Sequence, residues 1–240
     1  MQLGDWDAAE AEFARAVSSY GLADLETLNC QRGWLAALRG DAGTAETLLA
    51  ALSDMRASED PQDQSTVSLA DAFAADARGQ AETALRRARD TLAQVDALGI
   101  SGESLRWAWP LAARAAYELG DNAAVGELIA LLDSHQPGYL APMLRAERDL
   151  ARARRAAADG EGDQAAAAFA AAITGLRERS TPYHLAHGLL DHAEYLTGHG
   201  EAAAASLAID EARDIGRRLR CQPLLDRADA LERVQSRIQA

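Results

Sequence analysis

Small and apolar residues return at the helical spacing of three to four along nearly the whole chain. The blocks read Ala9, Phe13 and Ala16; Ala45, Leu49 and Leu52; Val125, Ile129 and Leu132; Ala165, Phe169 and Ala172; Ala205, Ile209 and Ala212. Residues so spaced share one face of an α-helix and form a buried stripe. A further block is less regular, because Ala84 and Ala88 are followed by Thr91, with Leu85, Leu92 and Val95 supplying the bulk, and its register stays open.

Each block follows a short polar turn built on glycine. The copies are Leu3-Gly4-Asp5-Trp6, Arg39-Gly40-Asp41-Ala42, Arg78-Gly79-Gln80-Ala81, Leu119-Gly120-Asp121-Asn122, Asp159-Gly160-Glu161-Gly162 and His199-Gly200-Glu201-Ala202. Glycine supplies the left-handed residue that ends one helix, and the Asp or Glu beside it can cap the next. Successive turn glycines lie 36, 39, 41, 40 and 40 residues apart, a period in the range of helix-pair repeats. Six turns predict about twelve helices. The first helix of each pair is expected over Leu22–Leu38, Ser65–Ala77, Ser104–Leu119, Pro142–Asp159, Pro182–Thr197 and Pro223–Ile238. Three of these open at proline, which suits the first turn of a helix. Loops are expected at Ala57–Gln64, Gly99–Gly102, Ser134–Ala141 and Arg179–Thr181, all rich in turn formers.

Composition supports helix over sheet, since alanine dominates and aromatic residues make up only 5%. Small side chains fill thin layers between closely approaching helices better than one wide core. A formal charge of -13 and a pI near 4.8 oppose nucleic acid and anionic membranes as partners. All 24 basic residues are arginine, so no lysine can serve as a Schiff base, a general base or a phosphate-loop ligand. Cys30 and Cys221 read as free thiols in a reducing cytoplasm. The N-terminus lacks the basic and apolar regions of a signal peptide, and the apolar run Ala165–Ile173 is too short to span a bilayer.

The sequence resembles the tetratricopeptide repeat (TPR) family. Gly33, Gly4, Ala9, Phe13 and Ala16 match its small and aromatic positions around the turn, and Trp109, Gly120 and Pro137 match its aromatic, turn and terminal proline positions in the fourth copy. Most copies lack the first-helix glycine and the tyrosine after it, so the resemblance is TPR-like. The stretches Pro182–Leu190, Gly200–Ala202 and Arg218–Ala228 are similar to the helical-repeat tail of large actinobacterial ATPase regulators of the LuxR-type or cyclase-linked kind. No phosphate loop is present. The resemblance implies an all-α fold, a right-handed α-solenoid of about six TPR-like helix pairs. It would span residues 1–240 as a single domain, a fragment of a larger regulator.

In that register the first helices would line a concave groove with Trp34, Phe73, Trp107, Arg114, Tyr117, Arg154, His187 and Glu194, leaving Trp109 in the core. Aromatic and arginine side chains are common binding anchors. Packing of Trp34 and Phe73 against neighbouring helices is the competing reading for each. Trp107 and Trp109 fall on different faces, because each helical residue turns by about 100°. The groove lacks the Asn and Lys pattern of carboxylate-clamping TPR domains, although Arg114 and Arg154 could hold an acidic group.

Four of the five histidines, His184, His187, His192 and His199, cluster with Asp191 and Glu194, and the pairs His184/His187 and His187/Asp191 share a helical face. A metal site is conceivable, but no H-E-x-x-H or Cys/His spacing accompanies them, and a solvated face is the stronger reading. Nor does any spacing argue a Ser/His/Asp, Cys/His or paired-carboxylate catalytic set. The expectation is therefore a cytoplasmic, non-enzymatic interaction scaffold without cofactor, binding a protein, a peptide or other domains of its own polypeptide. A small-molecule sensor in a multidomain regulator is the alternative. An N-terminal helix carrying Phe13 and Val17 with no first helix before it leads to the expectation of a cover, from an upstream repeat, a crystal neighbour or a homodimer through that helix.

Overall fold

The computed structural model of the chain describes residues 4–17 and 22–239. Among them are fourteen α-helices, one short 3-10 turn and no strand. They divide into two compact units, Asp5–Leu144 and Arg145–Ala240.

The first unit holds α1 (Trp6–Val17), α2 (Leu22–Arg39), α3 (Ala42–Leu49), α4 (Ser53–Ala57), α5 (Pro61–Asp76), α6 (Ala81–Leu92), α7 (Val95–Leu98), α8 (Glu103–Glu118) and α9 (Asn122–Asp133), then the 3-10 turn Pro137–Tyr139. Here α2 pairs with α3, α5 with α6 and α8 with α9, while α2 also meets α5 and α5 meets α8. The second unit holds α10 (Pro142–Ala158), which it enters at Arg145, followed by α11 (Gly162–Arg179), α12 (Pro182–Gly198), α13 (Ala202–Leu219) and α14 (Gln222–Gln239). There α12 packs against α11, α13 and α14, and α13 packs against α14.

Glycine turns join the pairs as the sequence predicts. Gly40, Gly79, Gly120, Gly160 and Gly200 all have positive φ, between 66° and 86°. The amide after each reaches back five residues in the same way: Asp41 to the Ala36 carbonyl, Gln80 to Ala75, Asp121 to Ala116, Glu161 to Ala156 and Glu201 to Leu196, at 2.9–3.0 Å. This bond satisfies a carbonyl that the helix end would otherwise leave open. Capping is less uniform. Asp5, Asp41 and Asp121 accept from the backbone N–H groups of Ala8, Thr44 and Ala124 at 2.9–3.0 Å. Gln80, Glu161 and Glu201 make no side-chain cap bond, so the expected capping role holds for aspartate and not for its longer relative.

The irregular third block resolves as one stripe, with Ala84, Ala88 and Thr91 fully buried and Leu85 and Leu92 beside them. Thr91 occupies an apolar position because its hydroxyl is satisfied by the Ser65 and Arg87 carbonyls. The expected loop Ala57–Gln64 is shorter, since Asp60 caps α5 through the Gln62 N–H and Pro61 takes its first position. Two short helices, α4 and α7, were not expected. The start of α4 is held by Glu26 of α2, which accepts from the Ser53 hydroxyl and from the N–H groups of Asp54 and Met55. Those backbone bonds, Met55 first, hold the Glu26 carboxyl below the usual carboxylate range.

Both cysteines are free and buried. Burial, with the nearby Asp71 charge, pushes the Cys30 thiol up to about 12, so it stays protonated. Among the described residues no helix is long and apolar enough to cross a membrane.

Candidate functional site

Counting back from each turn glycine gives the first helices a common register. Six residues before it stand Trp34, Phe73, Arg114, Arg154 and Glu194; thirteen before it, on the same face about two turns earlier, stand Trp107, Glu147 and His187. Each unit uses these positions differently.

In the first unit they build an aromatic layer. Trp34 of α2 stacks on Phe73 of α5 at 5.6 Å between ring centroids, and Trp107 of α8 meets both edge-on, at 5.0 Å from Trp34 and 6.1 Å from Phe73. Stacked and edge-to-face rings at these distances attract one another beyond their buried area. All three are buried. Trp109, on the other side of α8, is fully buried and donates its indole N–H to the Leu128 carbonyl at 2.9 Å. Arg114 is buried about two turns beyond Trp107 on α8 and interacts with Asp76 of α5. Burial pushes the Asp76 carboxyl up; Arg114 opposes that rise and Glu118 adds to it. Tyr117 is 40% exposed.

In the second unit Arg154, Glu194 and Glu147 at these positions join their neighbours in an ionic layer. Asp191 of α12 has a side chain only 2% exposed, and it accepts from two guanidiniums: Arg154 of α10, itself buried, and Arg227 of α14, at 2.6 Å. Arg227 also reaches Glu194 at 3.3 Å. Two turns away, His184 Nδ1 lies 3.0 Å from Glu147 Oε1, with both side chains buried, and the Tyr183 ring meets the His184 and His187 rings edge-on. A carboxylate removed from water is tolerable here because two charged donors face it.

The eight residues expected to line one groove therefore separate by environment. Trp34, Phe73, Trp107, Arg114 and Arg154 are buried, so these five are packing and ion-pairing residues and not open anchors. Tyr117 and Glu194 are exposed and His187 is half-buried. The histidine stretch is likewise no solvated face: His184 is fully buried, and His192 stacks on Phe169 at 5.4 Å, its burial lowering its pKa. Among the described residues, no group of three or more His, Cys, Asp or Glu side chains could hold a metal ion. Sequence reasoning missed Glu147, Asp76 and Arg227 and treated Asp191 only as a neighbour of histidines. The register that pointed to Arg154 and His187 also contains Glu147, and Asp191 lies one turn beyond His187.

Three open clefts lie elsewhere, each lined by charged and apolar side chains together. One runs between Arg177, Thr181, Asp210 and Arg218, one between Arg56, Ser68, Asp71 and Arg87, and one between Glu82, Arg86, Arg89 and Asp121. Trp107 and Tyr117 line none of these three.

Comparisons with protein-family models, with curated proteins and with solved structures give no match.

Proposed function

We propose that the chain is an α-solenoid of about six TPR-like helix pairs, working as a protein-interaction or regulatory module and not as a catalyst. Contacts that recur at one repeat's distance support the solenoid. Cys30 to the Thr66 carbonyl, Arg89 to Glu127, Arg154 to Asp191, Arg177 to Glu211 and Arg227 to Asp191 span 36, 38, 37, 34 and 36 residues. Layers that bond chiefly to their neighbours are the mark of a quasi-one-dimensional array.

The observation that carries the interaction reading is that each unit buries its equivalent first-helix positions, at the level of the rings in one and of Asp191 in the other, while leaving accessible side chains on the same helices, Tyr117 in the first unit and Glu194 with half-buried His187 in the second. Aromatic and charged side chains standing on rigid helices suit recognition of a protein, a peptide or another domain of the same polypeptide. A small-molecule sensor would be favoured by an apolar pocket closed by Trp107 and Tyr117, but Trp107 is packed among rings.

The test is selection of peptides from a random displayed library against the chain, followed by affinity measurement on Tyr117→Ala and Glu194→Arg. Loss of tenfold or more on either variant is expected. Unchanged affinity on both, or no selectable binder, overturns the reading.

A further inference from the structure

The second unit has an open cleft of about 550 Å³ where the end of α11, the start of α12 and the second half of α13 meet. Its floor is apolar, formed by Leu176, Leu185 and Ile215, which are 0%, 9% and 6% exposed. One turn from each floor residue stands a polar one: Ser180 after Leu176, Thr181 before Leu185 and Arg218 after Ile215. Short connections make α12 antiparallel to both neighbours, so these three polar groups gather at one end of the cleft. Glu211, a turn before Ile215, marks the other end.

Bonding around the cleft satisfies its carboxylates and leaves donors unused. Glu211 accepts from both terminal nitrogens of Arg177, at 2.5 and 2.8 Å. Asp210 accepts from Arg213, which also reaches Asp229 and Glu232 of α14, and Asp214 accepts from Arg217 at 3.2 Å. The Thr181 hydroxyl already accepts from the His184 N–H. Arg218, by contrast, is exposed and makes no ion pair among the described residues, and the buried Ser180 Oγ has no hydrogen-bond partner among them. A free guanidinium and a free hydroxyl beside an apolar floor complement a carboxylate with an apolar neighbour.

We infer that this cleft seats an acidic peptide segment, with one large apolar side chain on Leu176, Leu185 and Ile215 and an adjacent Asp or Glu carboxylate on Arg218 and Ser180. Floor and donors are one helical turn apart, about 5–6 Å between Cβ atoms, so the occupant's two groups belong to neighbouring residues. A basic segment would meet carboxylates that already hold arginines, and a wholly apolar one would cover Arg218 without pairing it. An open cleft encloses too little of a free small molecule to hold it tightly, whereas a peptide adds contacts on either side. The site extends the interaction reading above and shares no residue with Tyr117, Glu194 and His187. It is built within the second unit alone, so it does not depend on the repeat arrangement.

Titration of isotope-labelled chain with two blocked peptides, N-acetyl-Gly-Glu-Phe-Gly-amide and its uncharged counterpart with Gln for Glu, followed through backbone amide chemical shifts, tests this. The acidic peptide is expected to shift the amides of Ser180, Leu185 and Arg218 and to bind about fivefold or more tightly than the uncharged one. Arg218→Glu should weaken the acidic peptide by about tenfold or more, and Arg218→Lys should restore most of the loss. Arg218 is exposed and unpaired, so neither change threatens the fold, and unchanged amide shifts in α10 and α14 verify that. Equal affinity for the two peptides, an Arg218→Glu chain that binds as wild type does, or no shift at these amides overturns the inference. Shifts confined to the surroundings of Tyr117, Glu194 or His187 overturn it while leaving the reading proposed above in place.

Discussion

Six residues before the turn glycine, the first unit places two aromatic rings and an arginine, Trp34, Phe73 and Arg114, and the second places two ions, Arg154 and Glu194. The net charges of the two units diverge in the opposite sense. Residues 5–144 hold 22 acidic and 10 basic side chains, a formal charge of -12, whereas residues 145–240 hold 15 and 14, a formal charge of -1. The first unit thus fills its inter-helix layer mainly with rings, beside the buried Arg114 and its neighbour Asp76, while the second fills it mainly with charge and balances it. The same spacing of turns and helices accepts both fillings. Ring packing tolerates modest change in shape, but a buried carboxylate between two guanidiniums requires every partner. The ionic layer therefore specifies its neighbours more strictly than it stabilises them.

The largest effects should come from breaking each layer once. Asp191→Ala leaves Arg154 buried without its carboxylate and is expected to destabilise the second unit by about 3–5 kcal/mol. Trp107→Ala opens the ring layer at a cost of about 3–5 kcal/mol in the first. Hydrogen exchange reads the two separately, with protection falling in α10, α12 and α14 for one variant and in α2, α5 and α8 for the other. The double change Arg154→Leu with Asp191→Leu separates specification from stability, since removing both ions should leave stability within about 1 kcal/mol of wild type or above it. A double variant as unstable as Asp191→Ala would mean that the ion pair itself stabilises the unit.

A smaller effect is expected at Asp76, the one carboxyl beside the ring layer that burial pushes up. A carboxyl whose folded-state pKa exceeds its unfolded value binds its proton more tightly when folded, so its ionisation opposes folding near neutrality. The strain is relieved as pH falls through the raised folded value and is gone below the unfolded one. Asp76→Asn should accordingly raise the denaturation midpoint at neutral pH, with the gain over wild type vanishing toward acid. A gain independent of pH would assign the effect to packing.

Much of the architecture was legible in the sequence because turn and stripe are local signals. Gly40-Asp41 and Gly120-Asp121 announce a left-handed stop and a cap within two residues, and the stripe Ala165, Phe169, Ala172 needs only helical spacing. The environment of the site was less legible. Residues in one register are equivalent along the chain, but whether Trp34 or Arg154 faces water depends on what stands at that register one repeat away, and the sequence does not rank those neighbours. Asp191 illustrates this. Its partners lie 37 and 36 residues distant on two different helices, while the histidines that drew attention to it are merely adjacent on its own. The short helix α4 escaped for the same reason, being capped by a glutamate 27 residues or more upstream.

The turns themselves carry the smallest and sharpest form of the comparison. Turns of the first unit use aspartate at Asp41 and Asp121, with side chains bonded to the third amide of the next helix, while the second unit uses Glu161 and Glu201, which make no such bond. The Thr44 amide holds the Asp41 carboxyl below its usual range, so this cap's contribution is complete above the unfolded carboxylate pKa and is lost as pH falls through the lower folded value. Asp121→Ala should cost about 1 kcal/mol through loss of its cap. The reverse change is the more informative. Glu201 has φ -86° and ψ 55°, close to -81° and 77° at Asp121, so the backbone already approximates a capping conformation and the extra methylene is what separates the two side chains. Glu201→Asp should bring a carboxylate oxygen to the Ala204 N–H and stabilise the second unit by about 0.5–1 kcal/mol, read as an upward shift of the denaturation midpoint that fades in acid. Glu161→Asp, at φ -85° and ψ 62°, should behave alike. If neither variant gains stability while Asp121→Ala loses it, side-chain length is not the deciding difference, and the smaller ψ of the glutamate turns withholds the cap.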